Sequence, residues 1–245
     1  MGVFFMRHGE ARFLSCMYVL SLTLLVLFAL HGLRDSVLVS GDAWTEHVVI
    51  LDAGHGGPDG GSSAADGTRE SEINLDITLK TDAVLGLLGE RTLLTRETDS
   101  DLSSLDAKTI AQKKVTDIRN RVELVNSKPG AVLVSIHQNT YPADASVHGA
   151  QVFYGKVGDS QLLAEQLQEN LRTWVDPDNS KAAKPVDPGV YLMNHIENRG
   201  VLVECGFLTN SAEAELLKTP DYQKRLAVAI AATVSAYLQS EESGV

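Results

Sequence analysis

The sequence predicts an α/β fold in which a mostly parallel central sheet carries helices on both faces, preceded by one N-terminal transmembrane helix. Two observations lead to this prediction. Short and almost wholly apolar segments alternate with longer segments of helical periodicity, as in sheets whose strands are covered on both sides. In addition, an uncharged run near the N-terminus is long enough to cross a bilayer.

The apolar segment at residues 13–30 is expected to be a transmembrane anchor or a signal segment. It reads FLSCMYVLSLTLLVLFAL, which as a helix is long enough to cross about 30 Å of hydrocarbon. Arg7 and Arg12 precede it, which predicts that residues 1–12 are cytoplasmic and that the rest of the chain is extracytoplasmic. No clear small-residue cleavage site follows, which favours a membrane anchor over a secreted protein.

The remaining chain is predicted to form a spacer at residues 31–46, one folded catalytic domain at 47–240 and a tail at 241–245. Hydrophobic periodicity and turn residues predict strands at 48–51, 92–95, 131–136, 151–154 and 201–203, and helices at 70–88, 116–126, 160–174 and 222–238. In sheets of this kind, active sites lie at the carboxyl ends of the strands.

Composition excludes several classes of protein. The chain has 245 residues, 44% hydrophobic and 22% charged, which suits one sizeable core. Its net charge of -11 argues against nucleic-acid binding, because that needs clustered Lys and Arg to neutralise phosphates. The two cysteines, Cys16 and Cys205, provide neither a disulfide framework nor a cysteine metal site, and Cys205 is expected to be a buried thiol rather than a nucleophile.

Three apolar segments run directly into residues of metal-site type. VVILDAGH ends at His55, AVLVSIH ends at His137 and VLVE ends at Glu204, while Glu70 begins the helix that returns after the first strand. All four therefore belong to one predicted edge of the sheet. Two histidines and one carboxylate are a standard catalytic zinc set with a position left for water. The sequence thus predicts zinc at His55, Glu70 and His137, with Glu204 as the catalytic base.

Each residue also has an ordinary interpretation. A histidine after a strand is more often a hydrogen-bonded loop residue than a ligand, and Glu70 suits the positive end of a helix dipole. The loop GHGGPDGG is a weak candidate for a phosphate cradle, because it lacks the Lys and Ser/Thr of a P-loop and the third glycine of a dinucleotide fingerprint. His195 is the reserve candidate for substrate contact. The metal prediction depends on four residues meeting at one edge.

The segments LDAGHGGPDGG, RESEINLDI, VSIHQNT and VLVECGFLTN resemble, in this order, motifs of the type 3 family of zinc-dependent N-acetylmuramoyl-L-alanine amidases. Within that family the chain looks most like the germination-specific, CwlD-type amidases of endospore formers. The resemblance runs from about residue 48 to residue 238. It implies zinc held by His55, Glu70 and His137, and Glu204 as the catalytic carboxylate. Arg121, in IRNRVELVN, matches a recurring family arginine and is interpreted as structural.

The resemblance also implies the substrate, the amide that joins N-acetylmuramic acid to L-alanine in peptidoglycan. In spore formers this cleavage is the first step toward muramic δ-lactam in the cortex. A zinc peptidase or carboxypeptidase acting on wall peptides, and a non-catalytic wall-binding regulator, are the alternatives. The expected partners are peptidoglycan and, through the N-terminal helix, the membrane. Because no wall-binding repeat is recognisable, an extracytoplasmic protein partner is left open.

Overall fold

The computed structural model describes residues 47–242. In chain order the elements are β1 (Val48–Ala53), α1 (Glu70–Leu87), β2 (Arg91–Leu94), α2 (Ile110–Asn126), β3 (Val132–Asn139), β4 (Gln151–Tyr154), α3 (Ser160–Trp174), β5 (Lys184–Pro185), α4 (Tyr191–His195), β6 (Arg199–Phe207), α5 (Ser211–Leu217) and α6 (Pro220–Glu242). The predicted cytoplasmic segment, the apolar segment at 13–30 and the spacer lie outside this range. Within it, no helix is both long enough and apolar enough to cross a membrane.

The six strands form one sheet in the order β2, β1, β3, β6, β4, β5. The four strands from β2 to β6 run parallel, whereas β4 is antiparallel to β6 and parallel to β5. The α/β prediction is therefore confirmed, and the sheet is mixed at one side. Register places His137 of β3 beside Glu204 of β6, and Glu204 also lies opposite Gln151 of β4.

Helices cover both faces of the sheet, as predicted. Helices α1, α3 and α6 pack on one face against buried side chains such as Val134 and Val203. On the other face, α2 and α4 pack against Leu133 and Leu202. Because side chains alternate along a strand, His137 and Glu204 share this second face with Leu133 and Leu202. The candidate site therefore lies on the α2 and α4 side of the sheet.

Two element boundaries differ from the prediction in ways that matter for the site. Helix α2 begins at Ile110 rather than at residue 116, because Thr109 and Gln112 form a capping box there. The prediction missed this start because the first turns of the helix bury no residue. Strand β6 extends from Arg199 to Phe207, so Glu204 lies within a strand rather than at its exit. The short elements β5, α4 and α5 were not predicted, and they are too brief to show a periodicity.

Candidate metal centre and its cleft

The three predicted ligands meet at one point. His55 Nε2 lies 3.3 Å from Glu70 Oε1, and His137 Nδ1 lies 3.0 Å from the same oxygen. One ligand atom from each residue lies within 4.8 Å of the other two. The imidazole rings meet edge to face, with centroids 5.1 Å apart and planes at 76°. The structure thus brings together side chains from a loop, a helix and a strand, and their role as metal ligands stays a prediction.

Two buried arginines hold the end of β1, from which His55 projects. Arg121 Nη2 donates to the carbonyl of His55 at 2.7 Å, and Arg121 Nη1 donates to the carbonyl of Ala53 at 3.0 Å. Arg96 Nε donates to the same Ala53 carbonyl at 2.9 Å. His55 has a φ of 62°, a conformation that no other non-glycine residue of the described chain adopts. These donors therefore stabilise a backbone turn that would otherwise be strained, which supports the structural interpretation of Arg121.

Asp52 anchors this arrangement inside the protein. Its carboxylate forms a buried ion pair with Arg121 and accepts hydrogen bonds from Thr95 Oγ1 at 2.9 Å and Ser135 Oγ at 2.6 Å. Burial alone would raise the pKa of Asp52, but the charge of Arg121 and these hydroxyl groups lower it to about 2. Asp52 is therefore ionised at physiological pH.

The carboxylate of Glu70 is fixed by hydrogen bonds around both oxygens. Oε1 accepts from the backbone N–H of Gln138 at 3.2 Å and from Asn74 Nδ2 at 3.3 Å, while Oε2 accepts from the N–H of Ser62 at 2.8 Å. Asn74 Nδ2 also lies 3.1 Å from the carbonyl of Gly54, which ties α1 to the end of β1. Glu70 is consequently held in one orientation from three directions.

Glu70 and His55, two of the predicted ligands, each shift the pKa of the other. Burial alone would raise the pKa of Glu70, but hydrogen bonds to His137 and His55 hold it well below its usual range. Burial alone would lower the pKa of His55, but Glu70 and then Asp59 raise it to about 9. Without a cation, His55 is therefore protonated at neutral pH, so a metal ion must displace that proton when it binds.

Glu204 faces the same centre with a free oxygen. Its Oε2 is buried and has no hydrogen-bond partner among the described residues. Burial raises the pKa of Glu204 to about 7, with the charge of His137 opposing this effect and that of Glu70 adding to it. A carboxyl group that titrates near neutral pH can both accept and return a proton. The geometry therefore suits the predicted base.

His55, His137 and Glu204 line a cleft of about 350 Å³ between α2 and α4. Its apolar walls include Ile118, Val190 and Leu192, and Lys114 and Tyr191 also line it. Most of the other lining residues are polar or charged, so the cleft offers a polar substrate both hydrogen-bonding groups and apolar contacts.

The other candidates from the sequence lie apart from the ligands. His195 is exposed on α4, where its ring stacks on Tyr191 at 3.8 Å and its Nδ1 lies 2.8 Å from the Tyr191 carbonyl. It therefore belongs to the rim, next to a cleft residue. Cys205 is fully buried, which confirms the prediction of a buried thiol, and this burial raises its pKa.

Sequence reasoning missed three residues that support the ligands: Asp59, Asn74 and Arg96. Asp59 and Asn74 each stand four residues after a predicted ligand, His55 and Glu70 respectively. For Asn74 this spacing in a helix was a usable signal, because residues four apart share a helix face. Arg96 gave no such signal, since its partners are backbone carbonyls distant in sequence.

Comparison with known proteins identifies the family of this chain. Residues 49–236 match the family model described as N-acetylmuramoyl-L-alanine amidase. The chain belongs to this family. The amidase is 34% identical over 183 residues to the germination-specific N-acetylmuramoyl-L-alanine amidase of Bacillus subtilis strain 168, a match that covers 75% of the chain and 76% of that relative.

Solved structures agree with this assignment. The CwlD amidase from Clostridioides difficile, solved in complex with the GerS lipoprotein, is 40% identical with a TM-score of 0.74, covering 78% of this chain and 98% of that one. The amidase AmiC2 of Nostoc punctiforme is 26% identical with a TM-score of 0.69, covering 80% of this chain and 99% of that one. The predicted enzyme class and the likeness to CwlD-type amidases are confirmed.

Proposed function

We propose that this amidase hydrolyses the bond between N-acetylmuramic acid and L-alanine in peptidoglycan, with zinc held by His55, Glu70 and His137. The observation that carries the proposal is the convergence of these three side chains within 4.8 Å of one another. Two imidazole nitrogens and one carboxylate oxygen are the donors that catalytic zinc favours, and they leave a coordination position for the reaction.

The surrounding backbone supports a site built for an ion. Gly61 has a φ of +65°, and a Cβ there would lie 2.5 Å from Glu70 Oε2 and 2.7 Å from His55 Cδ2. The loop therefore packs directly against two of the ligands. Such close support holds donors in place before an ion binds, which is what a catalytic metal site requires.

When bound, zinc would polarise the scissile carbonyl. It would also lower the pKa of a water molecule, so that the water can lose a proton and attack this carbonyl at neutral pH. Glu204 takes the proton from the attacking water as the new C–O bond forms, because it lines the cleft and its Oε2 has no hydrogen-bond partner among the described residues. It then passes this proton to the amide nitrogen as the C–N bond breaks, which releases the stem peptide with a free amino terminus. A group whose pKa is about 7 can serve both transfers.

The biological setting follows from the same assignment. The Bacillus subtilis relative named as germination-specific supports a role in the spore cortex, where removal of the stem peptide precedes muramic δ-lactam formation. That setting is extracytoplasmic, in agreement with the orientation predicted from Arg7 and Arg12. The GerS lipoprotein bound to the Clostridioides difficile enzyme supports a protein partner for this chain as well.

Two substitutions test the assigned roles. Glu204→Gln should retain bound zinc and lose about a hundredfold to ten-thousandfold in turnover, because it removes proton transfer alone. His137→Ala should lose zinc as well, because it removes a ligand. Zinc content by elemental analysis, together with peptide release from purified peptidoglycan, gives both results.

The products separate the amidase from the alternatives. Peptides that begin with L-alanine, released from intact glycan strands, are expected. Release of terminal amino acids alone would indicate a peptidase, and wild-type turnover in Glu204→Gln would remove Glu204 as the base.

A further inference from the structure

Asp59, in the Gly-rich loop, contacts His55 on the side facing away from Glu70. Its Oδ2 lies 3.0 Å from His55 Nδ1. Its Oδ1 lies 2.7 Å from Lys114 Nζ and accepts a hydrogen bond from the N–H of Gly61 at 3.2 Å. Neither Asp59 nor Lys114 takes part in the reaction described above. Their ion pair nevertheless links α2 to His55, a proposed zinc ligand.

We propose that Asp59 is a positioning residue that orients His55 for zinc, and that Lys114 holds Asp59 in place. The inference rests on the proposed function, because it assigns His55 to the metal. A carboxylate that accepts a hydrogen bond from Nδ1 keeps a proton on that nitrogen and leaves the lone pair of Nε2 for the ion. His55 Nε2 is the nitrogen that faces Glu70, at 3.3 Å.

His55 needs such a restraint more than His137 does. His137 lies within β3, where the backbone ladder fixes its position. His55 lies on a loop with a φ of 62°, where no regular structure constrains the side chain. Asp59, four residues later, supplies the missing constraint on the ring.

Lys114 makes the restraint reach across the cleft. It lies on α2 and lines the cleft, whereas Asp59 lies on the loop that follows β1. Lys114 Nζ contacts Asp59 Oδ1 and His55 Nδ1 contacts Asp59 Oδ2, so both oxygens of the carboxyl group are held. A carboxylate partner makes an imidazole a better metal ligand.

The zinc dissociation constant of the purified full chain, measured by competition with a chelator, tests the proposal. Asp59→Ala should weaken zinc binding about 10- to 100-fold, the usual effect of removing such a partner. Asp59→Asn should show a smaller loss, because its amide oxygen still accepts a hydrogen bond without the charge. Lys114→Gln should also weaken binding, because Asp59 then lacks its anchor.

Asp66→Asn is the matched control. Asp66 lies in the same loop and forms an ion pair of similar length with Lys218, at 2.6 Å, but touches no proposed ligand. The zinc affinity of the Asp66→Asn variant should equal that of the wild type. The melting temperature of each zinc-free variant shows whether folding is intact, which separates positioning from general stability.

Each outcome decides the proposal. Wild-type zinc affinity in Asp59→Ala would overturn it, as would an equal loss in Asp66→Asn. If Asp59→Ala does not fold, unchanged affinity in both Asp59→Asn and Lys114→Gln would overturn it instead. A wild-type chain that binds no zinc would remove the proposed metal centre too, so the two failures are distinguishable.

Discussion

Gly61 lies so close to two proposed metal ligands that even the methyl group of alanine has no room there. At this position a Cβ would lie closer to Glu70 and His55 than side-chain atoms can approach. Gly61→Ala should therefore displace two proposed ligands and reduce activity about a hundredfold, the scale expected for a misplacement of about 1 Å. Zinc affinity and peptide release measure the effect.

Gly67→Ala provides the comparison. Gly67 also has a positive φ, +91°, but a Cβ there would meet no atom within 4 Å. Gly67→Ala should lower the free energy of unfolding by about 1 kcal/mol because of backbone strain, and it should leave zinc binding unchanged. Equal losses of zinc in both variants would mean that strain, not contact with the ligands, governs Gly61.

At this scale the sequence predicted the residues that border apolar segments and missed those that support them. His55, His137 and Glu204 each follow a largely apolar segment, so their place at one edge of a sheet followed from the pattern. Asp59 and Arg96 lie in connections, where no periodicity operates. Their function depends on partners that only the folded chain brings near, such as Lys114 for Asp59.

Among the elements, β1 and α2 are joined by the buried pair of Asp52 and Arg121. The pKa of Asp52 is lowered from 3.8 to about 2, so folding favours its ionised form. This favours the folded state at pH values above about 4, and the contribution is lost as the pH falls from about 4 to about 2. Two pKa units correspond to about 2 to 3 kcal/mol.

Asp52→Asn should therefore lower the free energy of unfolding by about that amount at pH 7. The difference from the wild type should shrink below pH 4, because the Asp52 carboxyl of the unfolded wild-type chain then takes up a proton, whereas that of the folded protein does so only near pH 2. Denaturant unfolding at pH 7 and at pH 3 gives both values. A difference that stays constant with pH would show that the lost hydrogen bonds, and not the charge, account for the effect.

The elements that the sequence predicted best are those whose local pattern agrees with their burial. Strand β3 is buried on both faces, and its residues 132–136 are apolar except for Ser135. Helix α2 was predicted too short, because its first turns are exposed and carry no apolar stripe. The antiparallel direction of β4 was not predictable, since its four residues have the same pattern in either direction.

At the scale of the whole molecule, the described residues 47–242 belong to one compact unit. A chain that begins at residue 45 should therefore fold, bind zinc and release peptides at the rate of the full chain. Circular dichroism, zinc analysis and product release measure these properties. A fragment that remains unfolded would show that residues 1–44 contribute to the fold.

The same pair of chains tests the predicted anchor at residues 13–30. After cell fractionation, the full chain should be recovered with membranes and the shortened chain in the soluble fraction. Recovery of both chains in the soluble fraction would contradict the anchor.

The pairing of β3 with β6 sets the distance between Glu204, the proposed base, and His137, a proposed ligand. These two residues are aligned directly across two neighbouring strands, on the same face. Their spacing is thus set by the separation of two hydrogen-bonded strands, not by the loops at the surface. Insertions between the strands can lengthen or reshape the rim, and so alter what the enzyme recognises, while the distance over which a proton moves is preserved.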